Sequence, residues 1–419
     1  MGDSLIPVGA RDRGAWVRAT AVRQRVPAGR RRAERIATST TGIVSDVRTV
    51  GVEEEMLLVD ITNGRPRSVS GQVLVHAGRQ QVDSSSVAGV RGAIEGELQQ
   101  EQIETQTPPV TDLTVLGTEL RQWRDRAISA ARETGTSVAA LATSPLPVSP
   151  RTADSPRYQK MTERFGLTAA EQLTCGCHVH VAVDSAEEGV AVIDRIRVWL
   201  PALLAISANS PFWNGQDSGY ASYRSRAWAR WPSSGPVDRF GSAAAYERLV
   251  EDMTASKVLI DEGMVYFDAR LSQAYPTVEI RSADVCLEVA DAVLVAALCR
   301  GLVDTAARQW AAGESAPDVP TALLRLASWQ AAREGVDGQL LDPRTYRPVA
   351  AREVLHQLMG HVRPALADNG DEALVTAGLE RLRSHGSGAT RQRRTLERTG
   401  QLVDVVAQAV RLTAGQDGD

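Results

Sequence analysis

A chain of 419 residues can bury a large core, and at about 100–200 residues per domain it allows either one big domain or two to three smaller ones. Its 47 basic and 51 acidic residues leave a net charge of -4, without the basic footprint of a nucleic-acid or anionic-membrane binder. The four cysteines (Cys175, Cys177, Cys286, Cys299) are too few for a disulfide framework and point to a reducing cytoplasm, while Asp194, Arg195, Arg197 and Arg300 interrupt the most apolar stretches, so no membrane span is expected.

Residues 1–47 are rich in Arg ("RDRGAWVRATAVRQRVPAGRRRAER"), lack a long apolar run and show no sustained period, which reads as a disordered extension and not a secretory signal. Residues 48–60 follow as a strand, "TVGVEEEMLLVD" at their centre. Strand alternation sends Glu53 and Glu55 to one face and Val52, Glu54 and Met56 to the other. Two carboxylates roughly 6–7 Å apart raise each other's pKa unless a cation sits between them, although a solvent-wetted strand edge would also accept them. Asn63-Gly64 in "ITNGRP" signals a tight turn, with "RSVSG" as a hairpin return.

In "ELQQEQIETQTPP" (97–109), a short strand ended by Pro108 would put Glu104 on a polar face; as a helix, Glu97, Glu101 and Glu104 would form an exposed stripe instead. Helices are expected over 111–134, with Thr111 or Asp112 as N-cap, over 155–165, where Pro156 follows Ser155, and over 186–207. Between them "CGCHVHVAVD" (175–184) alternates Cys177, Val179, Val181 and Val183 against His178 and His180. Two imidazoles on one face resemble a ligand pair or a nucleotide contact, whereas Cys175 and Cys177 lack the second closely spaced pair a zinc site needs. In "AYPTVEIRSADV" (274–285), Glu279 and Arg281 project together, which taken alone is an ordinary cross-strand salt bridge. Residues 288–312 and those beyond about 320 read as helical, interrupted at "HVRPAL".

Strands and helices do not alternate as βαβ units, which favours an α+β fold with an antiparallel sheet: a single body over 48–412 and a flexible tail over 413–419. Four strands with one apolar face and one face bearing Glu or His are jointly hard to explain as surface. A sheet packed on helices through the first face would collect Glu53, Glu55, Glu104, His178, Glu279 and Arg281 in a cavity on the second, and carboxylates so gathered suit Mg²⁺ or Mn²⁺.

Five ordered segments, "GVEEEMLLVD", "EQIETQTPP", "CGCHVHVAV", "NSPFWNGQDSGYASYRSRAW" and "DARLSQAYPTVEIRSADV", resemble the successive motifs of the YbdK-type carboxylate-amine ligases, the type 2 glutamate-cysteine ligases. The resemblance implies a glutamine synthetase-like fold, a curved antiparallel sheet packed by helices around an active site that holds ATP and divalent cations. It implies a homodimer whose small-molecule substrates are glutamate, ATP and an amine such as cysteine. Mapped onto this chain, the metal-binding acids fall on Glu53, Glu55, Glu97, Glu104 and Glu279 together with His178, and His180 faces nucleotide or metal. Arg281 stabilises phosphate charge, and Arg224 and Arg270 look like further anion-binding positions. "LSQAY" departs from the usual Pro-Ser after that last arginine, which leaves the specificity for glutamate and the amine open. No G-x-x-x-x-G-K-[ST] loop occurs, so the ATP site must be built otherwise.

A metallohydrolase built on His178-x-His180 is the rival from another reaction class, but its further ligands would have to come from His76, His356, His361 and His385, which lie outside the strand motifs. A non-catalytic protein that retains the fold is another alternative, as is a ligase for a pathway-specific amine.

Overall fold

The computed structural model describes residues 47–83 and 93–416. The Arg-rich extension expected over 1–47 lies, apart from Val47, outside the described residues. Among them a seven-stranded sheet is built from β1 (Val50–Asp60), β2 (Ala93–Gly96), β3 (Gln102–Gln106), β4 (Thr136–Ala139), β5 (Gly176–Ala182), β8 (Ala269–Leu271) and β9 (Thr277–Asp284), while β6 (Phe212–Trp213) and β7 (Gln216–Asp217) form a separate small hairpin. The order is β2-β3-β1-β5-β9-β8, every pairing is antiparallel, and β4 pairs with the second half of β1. The expected α+β class with an antiparallel sheet is the observed one.

The apolar face of the first half of β1 and of β5 and β9 (Val50, Val52, Cys177, Val179, Val181, Val278, Ile280) packs on the helices Ala186–Ile196, Leu200–Ser207 and Val289–Ala311. Burial of each such Val or Leu is worth ~1.5–3 kcal/mol, and a one-residue slip would turn the whole row to the other side, so this face holds the register that aligns the polar one. The second half of β1, Met56–Val59, is buried on both faces against the helices Leu113–Arg132 and Leu402–Thr413. Arg48 ties the chain down just before β1, its Nε 2.7 Å from Asp304 Oδ1 and its Nη2 2.6 Å from Glu188 Oε1.

Several boundaries differ from the sequence expectation for local reasons. The hairpin return after Asn63-Gly64 shrinks to a single bridge between Val59 and Pro66, because Pro66 has no N–H to extend a ladder and a helix starts at Ser70. The helix expected over 186–207 is two helices, broken at residues 197–199 ahead of Pro201. "HVRPAL" does not interrupt the helix Ala351–Asn369, which runs through Pro364 because Val362, Ala365 and Leu366 are buried on its core side. Thr413, assigned to the flexible tail, is fully buried and accepts a hydrogen bond from Ala140 N–H at 2.8 Å.

Candidate active site

The polar face of the sheet is assembled by pairing across strands. Glu53 lies opposite His178, Glu55 opposite Glu104, His180 opposite Glu279 and Glu279 opposite Arg270, so residues distant in sequence sit side by side on one surface. Between the pairs Val179↔Ile280 and Cys177↔Ala283 the register shifts: Arg281 and Ser282 both stand against His178. A bulge of this kind adds a residue; Arg281, two residues after Glu279 and so on the same face, keeps its guanidinium toward the acids. Glu97 comes from the loop after β2. The cleft they line has a volume of about 230 Å³ and is walled by Arg157, Tyr158, Trp228, Trp231 and Tyr266.

Within it, His178 Nδ1 is 3.3 Å from Glu53 Oε2, His180 Nε2 is 3.2 Å from Glu53 Oε1, and His180 Nδ1 is 3.0 Å from Thr277 Oγ1. Gly176 N–H donates to Glu55 Oε2 at 2.6 Å, and Gln106 Nε2 donates to Glu104 Oε1 at 2.8 Å. Arg270 grips Glu279 through Nε (2.6 Å) and Nη2 (3.2 Å), and Arg281 Nη1 donates to the same carboxylate. Two groups offer three ligand atoms each within 4.8 Å of one another: Glu53, His178 and Glu279, and Glu55, Glu104 and His178. His178 belongs to both. The Nε2 atom of His178 is buried without a hydrogen-bond partner.

The electrostatics divide the acids. Burial alone would push Glu53 up, but hydrogen bonds and charge from His178 and His180 outweigh it and hold its carboxyl below the usual range. Glu279 is likewise pushed up by burial and pulled further down by Arg281 and Arg270. Glu97 goes the other way, to about 7, through burial and the charge of Glu55; Glu104 is raised by burial and by Glu53, Glu97 and Glu55. His178 is lowered by burial and by Arg281, which keeps it the neutral imidazole a cation requires. Crowded carboxylates beside a neutral imidazole are the donor set of a hard divalent cation.

Glu54 points away, as alternation requires, but into the core and not to solvent. Arg124, also fully buried, meets it with Nε at 2.8 Å and Nη2 at 2.5 Å and spends its remaining donors on the carbonyls of Leu287 (3.0 Å) and Cys286 (2.7 Å). Glu101 is structural as well, accepting from Ser68 Oγ at 2.5 Å and from Arg151 N–H. Of the arginines expected to bind anions, Arg270 is committed to Glu279, and Arg224 does not line this cleft; it lies against Gly176 at the neighbouring cavity.

A profile described as glutamate-cysteine ligase family 2 matches residues 49–408. The chain belongs to glutamate-cysteine ligase family 2. Its relatives include a Streptomyces avermitilis protein provisionally named glutamate–cysteine ligase 2-1, 55% identical over 369 residues that cover 88% of this chain and 100% of the relative. A similarly named Streptomyces coelicolor protein is 53% identical over 88% of this chain and 99% of its own. Among solved structures, the glutamate–cysteine ligase of Francisella tularensis, determined with AMP, shares the fold at TM-score 0.62 and 12% identity, covering 89% of this chain and 90% of that one. The bifunctional glutathione synthetase of Pasteurella multocida shares it at TM-score 0.63 and 16% identity over 89% and 53% of the respective chains. Membership in glutamate-cysteine ligase family 2 makes the chain an ATP-dependent carboxylate–amine ligase by class.

In the cleft's aromatic wall Trp228 closes the motif "NSPFWNGQDSGYASYRSRAW", but neither it nor Tyr158, Trp231 and Tyr266 was singled out as a site residue. The wall's one visible signal was density: Trp213, Trp228 and Trp231 fall within 19 residues of a chain that is only 5% aromatic.

Proposed function

We propose that the chain joins the γ-carboxylate of glutamate to an amine through a γ-glutamyl phosphate, cysteine being the amine the family name supplies. The observation that carries this is the convergence of acids and imidazoles from four separated strands on one buried face, with His178 common to two cation-sized groups. In the reaction a γ-carboxylate oxygen attacks the terminal phosphorus of ATP and ADP leaves. The amine nitrogen then attacks the acyl carbon, the bond from that carbon to the phosphate oxygen breaks, phosphate departs and the nitrogen gives up a proton.

Glu53, Glu55, Glu97, Glu104, Glu279 and His178 would hold Mg²⁺ or Mn²⁺, which would supply positive charge to offset that of the phosphates. The partnerless Nε2 of His178 and the carboxyls of Glu97 and Glu104, both raised by burial and by neighbouring acids, support that fit. Arg281, on the same face as Glu279 and bonded to it, places a guanidinium where charge builds on the transferring group, while Arg270 keeps Glu279 ionised and oriented. No protein nucleophile is needed. The metallohydrolase alternative gains no support, since His178 is the only imidazole in either cation-sized group among the described residues.

The reading extends to a homodimer in the cytoplasm, in keeping with four free and buried cysteines and with no described helix being long and apolar enough to cross a membrane. Sedimentation velocity checks the dimer. The deciding experiment is ADP release from ATP and glutamate with a panel of amines. Turnover should vanish with EDTA and return with Mg²⁺ or Mn²⁺; full turnover in metal-free protein, or none with any amine, would overturn the reading.

A further inference from the structure

A second cavity of about 570 Å³ adjoins the acidic cleft, Trp228, Trp231 and Arg281 lining both, and its chemistry is the reverse of the cleft's. Arg224 is 2% exposed, yet its Nε has no hydrogen-bond partner, and its guanidinium reaches only the Arg281 carbonyl at 3.5 Å and Asp284 Oδ1 at 4.0 Å. Arg281 Nε and Ser282 Oγ, on the bulge, are also buried and unpartnered. Three donors desolvated without acceptors are costly, which marks a place built for an anion.

Beside them stands Asp268, within electrostatic reach of Arg224. Its carbonyl accepts from Arg281 N–H at 2.8 Å, but its carboxylate takes part in no hydrogen bond among the described residues. Arg226, Arg230 and Arg325 line the cavity too, and Asp268 is the one acid among its lining residues; an α-amino acid uses both signs of charge at once, its carboxylate on Arg224 and its ammonium on Asp268. The remaining wall is apolar. Trp228 and Trp231 form one side, and the helix Thr321–Glu334 contributes Leu326 and Trp329, which are 57% and 40% exposed among the described residues, Trp329 standing edge-on to Tyr220. Cysteine would leave most of that surface in water.

We propose that this second cavity is the acceptor subsite and binds an α-amino acid with a bulky apolar or aromatic side chain. The assignment rests on the ligase reading above and replaces its cysteine with a bulkier amino acid, Trp329, Leu326 and Asp268 setting the preference and Arg224 anchoring the carboxylate.

The test is isothermal titration of the full chain with L-phenylalanine, L-leucine, L-cysteine and phenethylamine, with and without glutamate and a non-hydrolysable ATP analogue, beside ADP release with each amine. Phenylalanine or leucine should bind and turn over with kcat/KM at least about 10-fold above cysteine, and phenethylamine, lacking the carboxylate, should lose about 100-fold or more. Trp329→Ala, at an exposed position whose loss leaves the core intact, should weaken phenylalanine about 10-fold and leave the affinity for the nucleotide analogue in place. Cysteine performing as well as the bulky acids, or Trp329→Ala weakening the nucleotide instead, would overturn the proposal. Phenylalanine binding that depends on Trp329 without ADP release would uphold the cavity and sink the ligase reading; ADP release with cysteine and no binding of larger acids would do the reverse.

Discussion

Glu53 and Glu54 carry the same charge one residue apart, and the pleat of β1 delivers them to sites that punish substitution differently. Glu53 lies among His178, His180 and the acids of the cleft, so Glu53→Gln preserves shape while removing an anionic ligand. Ligation should fall by about two orders of magnitude or more with the melting temperature little changed. Glu54→Gln leaves Arg124 buried without its counter-charge. That kind of loss costs ~3–5 kcal/mol, so it should appear as a lower unfolding midpoint with near-normal turnover per folded molecule. Parallel activity and urea-unfolding measurements separate the two; equal stability loss in both variants would show that Glu53 is structural too. Relief of repulsion belongs elsewhere: Glu104→Gln should raise the melting temperature of the metal-free protein, because Glu104 is the carboxyl pushed up by Glu53, Glu97 and Glu55 together.

At the level of the strand, β5 must bring a glycine and a histidine into the site while its other face fills the core. A Cβ on Gly176 would lie 2.2 Å from Arg224 Nη2 and 3.0 Å from His178 Nε2, so only glycine lets the guanidinium lie against the strand. Gly176→Ala should displace Arg224 and cut ligation by about 100-fold with an unchanged circular dichroism spectrum; wild-type rates would mean that the guanidinium swings aside freely. The alternation that exposed Glu53, Glu55, Glu104, His178 and Glu279 as one face was legible because strands repeat every two residues and turn chemistry brackets them. The β9 bulge was not, since one inserted residue leaves no mark on local hydropathy and exists only relative to β5. Nor was the Glu54–Arg124 pair, whose partners lie 70 residues apart and meet only after the helix Leu113–Arg132 docks. Arg224 was visible as a candidate but not the cavity it serves, because that cavity is closed by Trp329 and Leu326 from a helix with no motif of its own.

For the whole molecule, the acids of the cleft couple folding to pH and to cations in opposite senses. Glu97, raised from 4.5 to about 7, gives a contribution fully present below pH 4.5 that is lost as pH rises through 7, since the unfolded chain releases that proton first. Glu104 acts in the same direction. Glu53 and Glu279, held below their usual value, contribute stability present above pH 4.5 and lost as pH falls further. His178, lowered by burial and by Arg281, works the other way, adding stability as pH rises through 6.5. With two raised carboxyls against that one imidazole, metal-free protein should be most stable in mildly acidic solution and lose melting temperature between pH 5.5 and 8. A bound divalent cation removes the repulsion that raises Glu97 and Glu104, so Mg²⁺ should bind more tightly at pH 8, expel protons when it binds near pH 7, and add ~2.7 kcal/mol at 100-fold excess over its Kd. Thermal scans at the two pH values with EDTA and with Mg²⁺, and titration calorimetry in buffers of different ionisation enthalpy, measure both effects. An EDTA-treated protein more stable at pH 8 than at 5.5, or Mg²⁺ binding without proton release, would mean that Glu97 and Glu104 are already ionised side by side and that the cleft's charges are balanced by the chain's own arginines instead of a metal.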